Sequence, residues 1–296
     1  MSQTGPQRLF APAKINLFLH VGDKRPDGYH ELLSLAVFAD AGDWLSAKSS
    51  DAMSLHFTGP FGPALAGEGD NLVLRAAAAL SAWAATHGFD VRGAELSLEK
   101  NLPVASGIGG GSSDAAAALL LLATLWALPI GVEELRDIAV KLGADVPVCV
   151  NARPTFMSGI GEVLTPAPNL PEFALLLVNA GVAVPTSQVF KGLRTRTGAQ
   201  QPKAFTGATS HDFALWLDQC GNDLAPPAIE IAPVISIVEA AITATDGCLL
   251  ARMSGSDATC FGLYAALSEA EHAAATIAKA HPQWWVKSAR AYSRDR

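Results

Sequence analysis

The chain reads as an α+β protein of two domains, residues 1–157 and 158–296. Its 296 residues exceed what one ordinary core organises. The first half shows two-residue alternation in its early segments and then a long alanine-leucine helix. The second half reads helix, strand, hairpin, helix, strand, an order that places helices on one face of an antiparallel sheet.

In the first segment, Arg8 to Val21, apolar Ala13, Ile15, Leu17 and Leu19 mark a strand with one buried face. Lys14, Asn16, Phe18 and His20 share the other face. Lys14 is read either as an exposed strand lysine or as part of a site. Lys24-Arg25-Pro26-Asp27-Gly28 has turn chemistry, and Tyr29-His30-Glu31 leads into a strand ending near Phe38. The Tyr29-His30 pair is either an ordinary loop aromatic beside a surface histidine or a stacking wall with a hydrogen-bonding partner. Asp43 to Phe57 reads as further strand, and a Gly/Pro loop follows from Gly59 to Gly69. A helix capped by Asp70 or Asn71 runs to about Thr86, and Ala94 to Leu98 alternates as a strand before Lys100.

Pro103 through Ser113 is the stretch around which the rest is organised. Glycines let a backbone approach an anion closely, and the helix behind them presents free N–H groups and partial positive charge. Ser112 and Ser113 can cap that helix or offer hydroxyls to a phosphate. A P-loop would close on Lys-Ser/Thr, and a dinucleotide fingerprint would carry Gly or Ala at Ser112. Neither fits. No His-Arg-Asp or Asp-Phe-Gly motif accompanies the loop, which removes the protein-kinase reading. The plain alternative is a flexible turn before a core helix.

Beyond it, Gly131 to Leu142 is a helix closed by Gly143, and Asp145 turns the chain into an apolar segment ending at Val150. A carboxylate at a helix C-terminus opposes the macrodipole and calls for a partner, unless Asp145 bonds its own turn. A second domain begins near Ser158. It carries a buried strand at Phe173 to Asn179, a short helix at Thr186 to Leu193 bearing Phe190, and an exposed loop at Arg194 to Gly207. Helices follow around Trp216 and over Pro233 to Ala244. Cys248 to Arg252 enters the turn Met253-Ser254-Gly255-Ser256-Asp257; Thr259 to Ala265 is a strand, Glu269 to His281 a helix, and Trp284 to Ala289 the last strand.

Composition narrows the function. Half the residues are hydrophobic and 17% are charged, which excludes disorder. A net charge of -7 without a basic run excludes a general nucleic-acid, RNA or membrane-surface binder. Cys149, Cys220, Cys248 and Cys260 have no C-x-x-C spacing and read as reduced thiols. No His-Glu-x-x-His pattern marks a protein-built metal site. Met1 to Pro6 lacks an apolar signal core, and the longest apolar run, Ala115 to Leu128, falls short of the roughly 20 residues of a membrane span. A cytoplasmic protein is expected.

Four separated motifs coincide: Ala11-Pro12-Ala13-Lys14-Ile15-Asn16-Leu17 with Arg25-Pro26-Asp27-Gly28-Tyr29-His30, the glycine loop, Leu142-Gly143-Ala144-Asp145-Val146-Pro147, and Ser254-Gly255-Ser256. In this set and order the chain resembles the GHMP small-molecule kinases. The resemblance implies a two-domain GHMP-kinase-like fold, with an ATP-binding N-terminal α+β domain, a ferredoxin-like C-terminal domain and the active site in the cleft. It implies transfer of the γ-phosphoryl group of ATP to a hydroxyl of a cytidine diphosphate-linked methylerythritol, in non-mevalonate isoprenoid biosynthesis. Asp145 is then the catalytic base and Lys14 its electrostatic partner. Pro103, Val104, Ala105, Ser106, Gly107, Ile108, Gly109, Gly110, Gly111, Ser112 and Ser113 wrap the ATP phosphates, with Asn71 and Lys100 on the adenine side. Tyr29 and Phe190 stack on the cytosine, His30 bonds it, and Asn16 lies near the acceptor hydroxyls. Mg²⁺ arrives with ATP and a loop serine reaches it. Ala105-Ser106 and Asp257 depart from positions where relatives carry glycine. A mevalonate or homoserine kinase, or a non-catalytic nucleotide-binding module, is the rival function; Tyr29, His30 and Phe190 argue against the first, and Lys14 with Asp145 against the second. A monomer or homodimer is expected, with no nucleic-acid or membrane partner.

Overall fold

A computed structural model describes residues 7–67 and 71–294. The expected cap Asp70 and the signal-free stretch Met1 to Pro6 lie outside them. In chain order the elements are β1 (Gln7–Lys24), β2 (His30–Ser49), β3 (Ser54–Thr58), a 3₁₀ turn (Gly62–Leu65), α1 (Leu72–Thr86), β4 (Ala94–Glu99), α2 (Gly110–Leu125), α3 (Val132–Val140) and α4 (Val146–Asn151). There follow β5 (Thr155–Gly159), β6 (Val163–Pro166), β7 (Ala174–Asn179), α5 (Thr186–Gly192), α6 (Ser210–Asp218), α7 (Ala225–Ile231), α8 (Val234–Thr243), β8 (Leu250–Met253), β9 (Thr259–Tyr264), α9 (Leu267–Ala280) and β10 (Trp285–Tyr292).

These elements form two compact units that interleave along the chain. One contains residues 1–13, 42–104 and 109–151, the other residues 14–41, 105–108 and 152–296. The boundary expected at 157/158 falls inside β5, because β1 and β2 are long enough to run through both units.

In the first unit, β4 lies between the end of β2, antiparallel from Trp44↔Glu99 to Ser49↔Ala94, and β3, parallel from Ser54↔Glu95 to Thr58↔Glu99. Its buried Ala94, Leu96 and Leu98 alternate with half-buried Glu95, Ser97 and Glu99, the period of a strand with one covered face. Asn71 caps α1, its Oδ1 accepting from the Val73 N–H at 2.8 Å. The unit's core joins Val73, Ala77 and Leu80 of α1 to the almost wholly buried run Ala115 to Leu119 of α2. Alanine suits a helix buried on nearly every side, since it packs closely and loses no side-chain entropy.

In the second unit β10, β7, β9 and β8 pair antiparallel in that order, so that by sequence position the sheet runs fourth, first, third, second. This is the split-βαβ order of a ferredoxin-like domain, as expected. Leu176 and Val178 of β7 share a core with Ile235, Val238 and Ile242 of α8 and Ala273 and Ile277 of α9. On the same unit, β2 pairs with β5 from Leu32↔Gly159 to Ala36↔Thr155, and β6 continues the hairpin.

Three readings of local pattern change. The strand expected to stop near Phe38 continues to Ser49, its length supported by β5, β10 and β4 in turn. The apolar segment after Asp145, to which its pattern gave no conformation, is the helix α4, with Pro147 tolerated in its first turn, where an intrahelical N–H partner is absent anyway. The hairpin β5–β6 and the helix α7 had no readable signal, the latter opening on Pro226-Pro227. Among the described residues no single helix is long and apolar enough to cross a membrane; α7 and α8 pass that test only as a pair bent by 120°.

Candidate active site

The glycine loop leaves the first unit at Val104, passes through the second over residues 105–108, and returns at Gly109. Its backbone alternates into the left-handed region at Ala105 (φ 49°), Gly107 (φ 74°) and Gly109 (φ 61°). At Ala105 the Cβ makes this conformation cost roughly 1–2 kcal/mol, so the departure from glycine is tolerated at the expense of strain. Gly107 is constrained more severely: a Cβ there would lie 2.6 Å from that of Asp257.

Gly109 is the N-cap of α2, and Ser113 N–H makes a 2.8 Å bond to its carbonyl. Neither Ser112 nor Ser113 is therefore the cap. Ser113 is buried within the helix's first turns, and its hydroxyl donates to Pro12 O at 2.6 Å. Ser112 is half-exposed. The N–H groups of Gly110, Gly111 and Ser112 have no intrahelical partner, the arrangement that favours an anion.

Within the second unit the loop is fastened at several points. Ile108 O accepts from Lys14 N–H at 2.9 Å, and Ser106 O from the Thr259 hydroxyl at 2.5 Å, itself receiving a bond from Asn179. Asp257 does not leave its charge on the loop. Its Oδ1 accepts from Val184 and Ala258 N–H, and burial, partly offset by those bonds, pushes its carboxyl above the ordinary value. The turn before it is held by Asn222, whose amide donates to Met253 O and Gly255 O.

Lys14 is 2% exposed, which removes the solvent-strand reading. Its Nζ donates to Asn16 Oδ1 at 2.8 Å, Asn16 Nδ2 donates to Ser34 Oγ at 2.7 Å, and Ser34 donates to Phe18 O at 2.6 Å. Asn16 N–H donates to Ser254 Oγ at 3.0 Å, so the first and last motifs meet. Asp145 belongs to the first unit and Lys14 to the second. Asp145 is half-buried and stands directly before α4, five residues beyond the end of α3. The macrodipole objection is thereby removed, since Asp145 stands at the start of a helix and not at the end of one.

Of the residues expected to bind a base, the rings of His30 and Phe190 stack with centroids 5.7 Å apart and planes at 24°. His30 Nδ1 faces Gly22 O at 3.3 Å, while Tyr29 is 61% exposed. On the expected adenine side, Asn71 caps α1 and Lys100 is buried between two carboxylates. Its Nζ donates to Asp43 Oδ2 and Asp114 Oδ2, each at 2.6 Å. Sequence reading missed Asp43 and Asp114. The signal for Asp114 was a single charged residue inside an apolar helix.

Burial pushes the Asp114 carboxyl up to about 7, with Lys100 opposing and Asp43 adding to the rise. Burial also works against the Lys100 charge, but Asp114 and Asp43 together outweigh it and hold the ammonium above its ordinary value. An unfolded Asp114 ionises near 3.8, so between about pH 4 and pH 7 the folded chain binds more protons, and stability falls as pH rises through that window. Denaturant titrations of wild type and Asp114→Asn should diverge there, the wild type losing stability relative to the variant as pH rises. Parallel curves from pH 4 to 8 would refute this.

The model for "GHMP kinases N terminal domain" matches residues 71–153. A 4-diphosphocytidyl-2-C-methyl-D-erythritol kinase of Parvibaculum lavamentivorans is 52% identical over 96% of this chain and 98% of its own length. The chain belongs to the 4-diphosphocytidyl-2-C-methyl-D-erythritol kinase family. A member from Cereibacter sphaeroides is 54% identical over 95% of this chain and 98% of its own. A crystal structure of 4-(cytidine 5'-diphospho)-2C-methyl-D-erythritol kinase superposes with a TM-score of 0.73 at 32% identity, covering 96% of this chain and 99% of that one. A mevalonate kinase structure, at 10% identity and TM-score 0.71, shares the fold alone.

Proposed function

We propose that this chain transfers the γ-phosphoryl group of ATP to a hydroxyl of 4-diphosphocytidyl-2-C-methyl-D-erythritol, in the cytoplasm, as a step of non-mevalonate isoprenoid precursor biosynthesis. The observation that carries this reading is near-complete coverage, at about half identity, of proteins bearing that name. The reduced state of the cysteines suits a cytoplasmic setting.

In this reading the loop from Pro103 to Ser113 receives the phosphates on backbone N–H groups, with Asn71 on the adenine side; the Lys100 ammonium, expected there too, is instead buried between Asp43 and Asp114. The acceptor's O–H bond breaks as its oxygen bonds the γ-phosphorus; Asp145 takes the proton and ADP leaves. Lys14 stabilises the developing alkoxide and the charge on the moving phosphoryl group. Asn16, oriented through Ser34, hydrogen-bonds the acceptor's hydroxyls. The stacked His30 and Phe190 provide an aromatic surface for cytosine, Tyr29 closes over it, and His30 adds polar recognition.

Among the described residues no group of three acidic, histidine or cysteine side chains could hold a metal ion. A Mg²⁺ brought by ATP would keep most of its waters, and the half-exposed Ser112 hydroxyl in the first turn of α2 would be the chain's own contribution. When bound, the ion neutralises phosphate charge.

A screen of ADP release with Mg-ATP tests the reading. Release is expected with the cytidylated methylerythritol and not with mevalonate or homoserine. Release that favours either simple alcohol would overturn the acceptor assignment.

A further inference from the structure

We propose that Asp43, Lys100 and Asp114 form a buried clamp that fixes both ends of the glycine loop, making Lys100 and Asp114 positioning residues for the nucleotide phosphates. This rests on the kinase reading given above. All three side chains belong to the first unit and are at most 3% exposed. At the loop's entry, Asp43 Oδ1 accepts from Asn101 N–H at 2.6 Å and from Leu102 N–H at 2.9 Å, the two residues before Pro103. At its exit, Asp114 extends from α2 to Lys100, and the ammonium lies so close to Gly110 that a Cβ there would stand 3.0 Å away. One cation thus ties the strand before the loop to the helix after it.

The cluster is costly as a purely structural device. Two carboxylates share one ammonium, and Asp114 Oδ1 is buried with no hydrogen-bond partner. Apolar residues of similar volume would fill such a place at lower cost to stability. What they would not supply is a directional link between the backbone at 101–102 and the first turns of α2, whose N–H groups must be in place before phosphate arrives. Since Lys100 Nζ is engaged by both carboxylates, its effect on nucleotide is exerted through loop geometry rather than by touching a phosphate.

The test uses the full chain with Asp114→Asn, Lys100→Met and the double variant, reading ATP binding by fluorescence titration, steady-state kinetics and thermal midpoint. For Asp114→Asn the KM for ATP and the Kd for ATP should rise roughly 10-fold, while the KM for the cytidylated acceptor stays within twofold and the thermal midpoint does not fall. The double variant should be no worse than Lys100→Met alone, as expected for groups acting as one unit. Unchanged ATP affinity in a folded Asp114→Asn variant, or additive effects in the double variant, would overturn the clamp. Should Lys100→Met fail to fold, Asp114→Asn decides alone. Wild-type protein that binds no ATP would instead defeat the kinase reading, so the two failures are distinguishable.

Discussion

Replacing Asp145 by alanine is expected to lower kcat by roughly 10² to 10⁴ while leaving the Kd for ATP within about threefold. Asp145 stands at the turn between α3 and α4, where Val146 N–H bonds Gly143 O at 3.1 Å. A base in phosphoryl transfer receives a proton only as the oxygen-phosphorus bond forms, so its loss falls on the chemical step and not on nucleotide capture. Asp145→Asn separates charge from shape and should be nearly as slow. The residue lies outside the buried cores, so both variants should fold with thermal midpoints near wild type. Turnover within threefold of wild type for either variant would remove the base assignment.

The second large effect is expected at Lys14. Lys14→Met keeps the length and the apolar stem but deletes a buried ammonium, and kcat should fall by roughly 10² to 10³. A structural lysine would behave differently, because removing it would lower stability without a selective loss in the chemical step. Here the backbone N–H of Lys14, which holds Ile108 O, survives the substitution, so the loop keeps that support. The side-chain loss leaves Asn16 Oδ1 without its Lys14 bond, at a cost of about 1 kcal/mol in stability. Lys14→Arg keeps the charge but not the compact geometry, and should recover only part of the rate. A kcat for Lys14→Met close to wild type, whatever its thermal midpoint, would show that the ammonium takes no part in the transition state.

Both experiments concern residues that the family resemblance singled out and local pattern left open; elsewhere local pattern was enough. Glycines followed by an alanine-leucine run specify a loop entering a helix, and α2 begins at Gly110 accordingly. Asp70 or Asn71 was expected to cap the apolar helix that follows, and Asn71 caps α1. The order of strands and helices after residue 173 was enough for an antiparallel sheet with helices on one face, because period and turn chemistry act over a few residues, while its split-βαβ strand order was implied only by the resemblance. Short-range pattern was a poor guide where support comes from elsewhere in the chain. The expected break before Asp43 is bridged because several strands pair along β2, and the length of α4 could not be read from the short apolar run Val146 to Val150.

Residue types and spacings carried the loop-helix unit and the family resemblance, and it was the resemblance that implied Lys14 and Asp145 as the reacting pair. Tertiary packing decided what surrounds them: that Lys14 is buried against Asn16, that Asp257 turns its charge onto Val184 and Ala258, and that Lys100 is held by Asp43 and Asp114. Backbone preference acts between neighbours and is written along the chain. The environment of a charge depends on groups tens of residues away, and only folding brings those within hydrogen-bond reach.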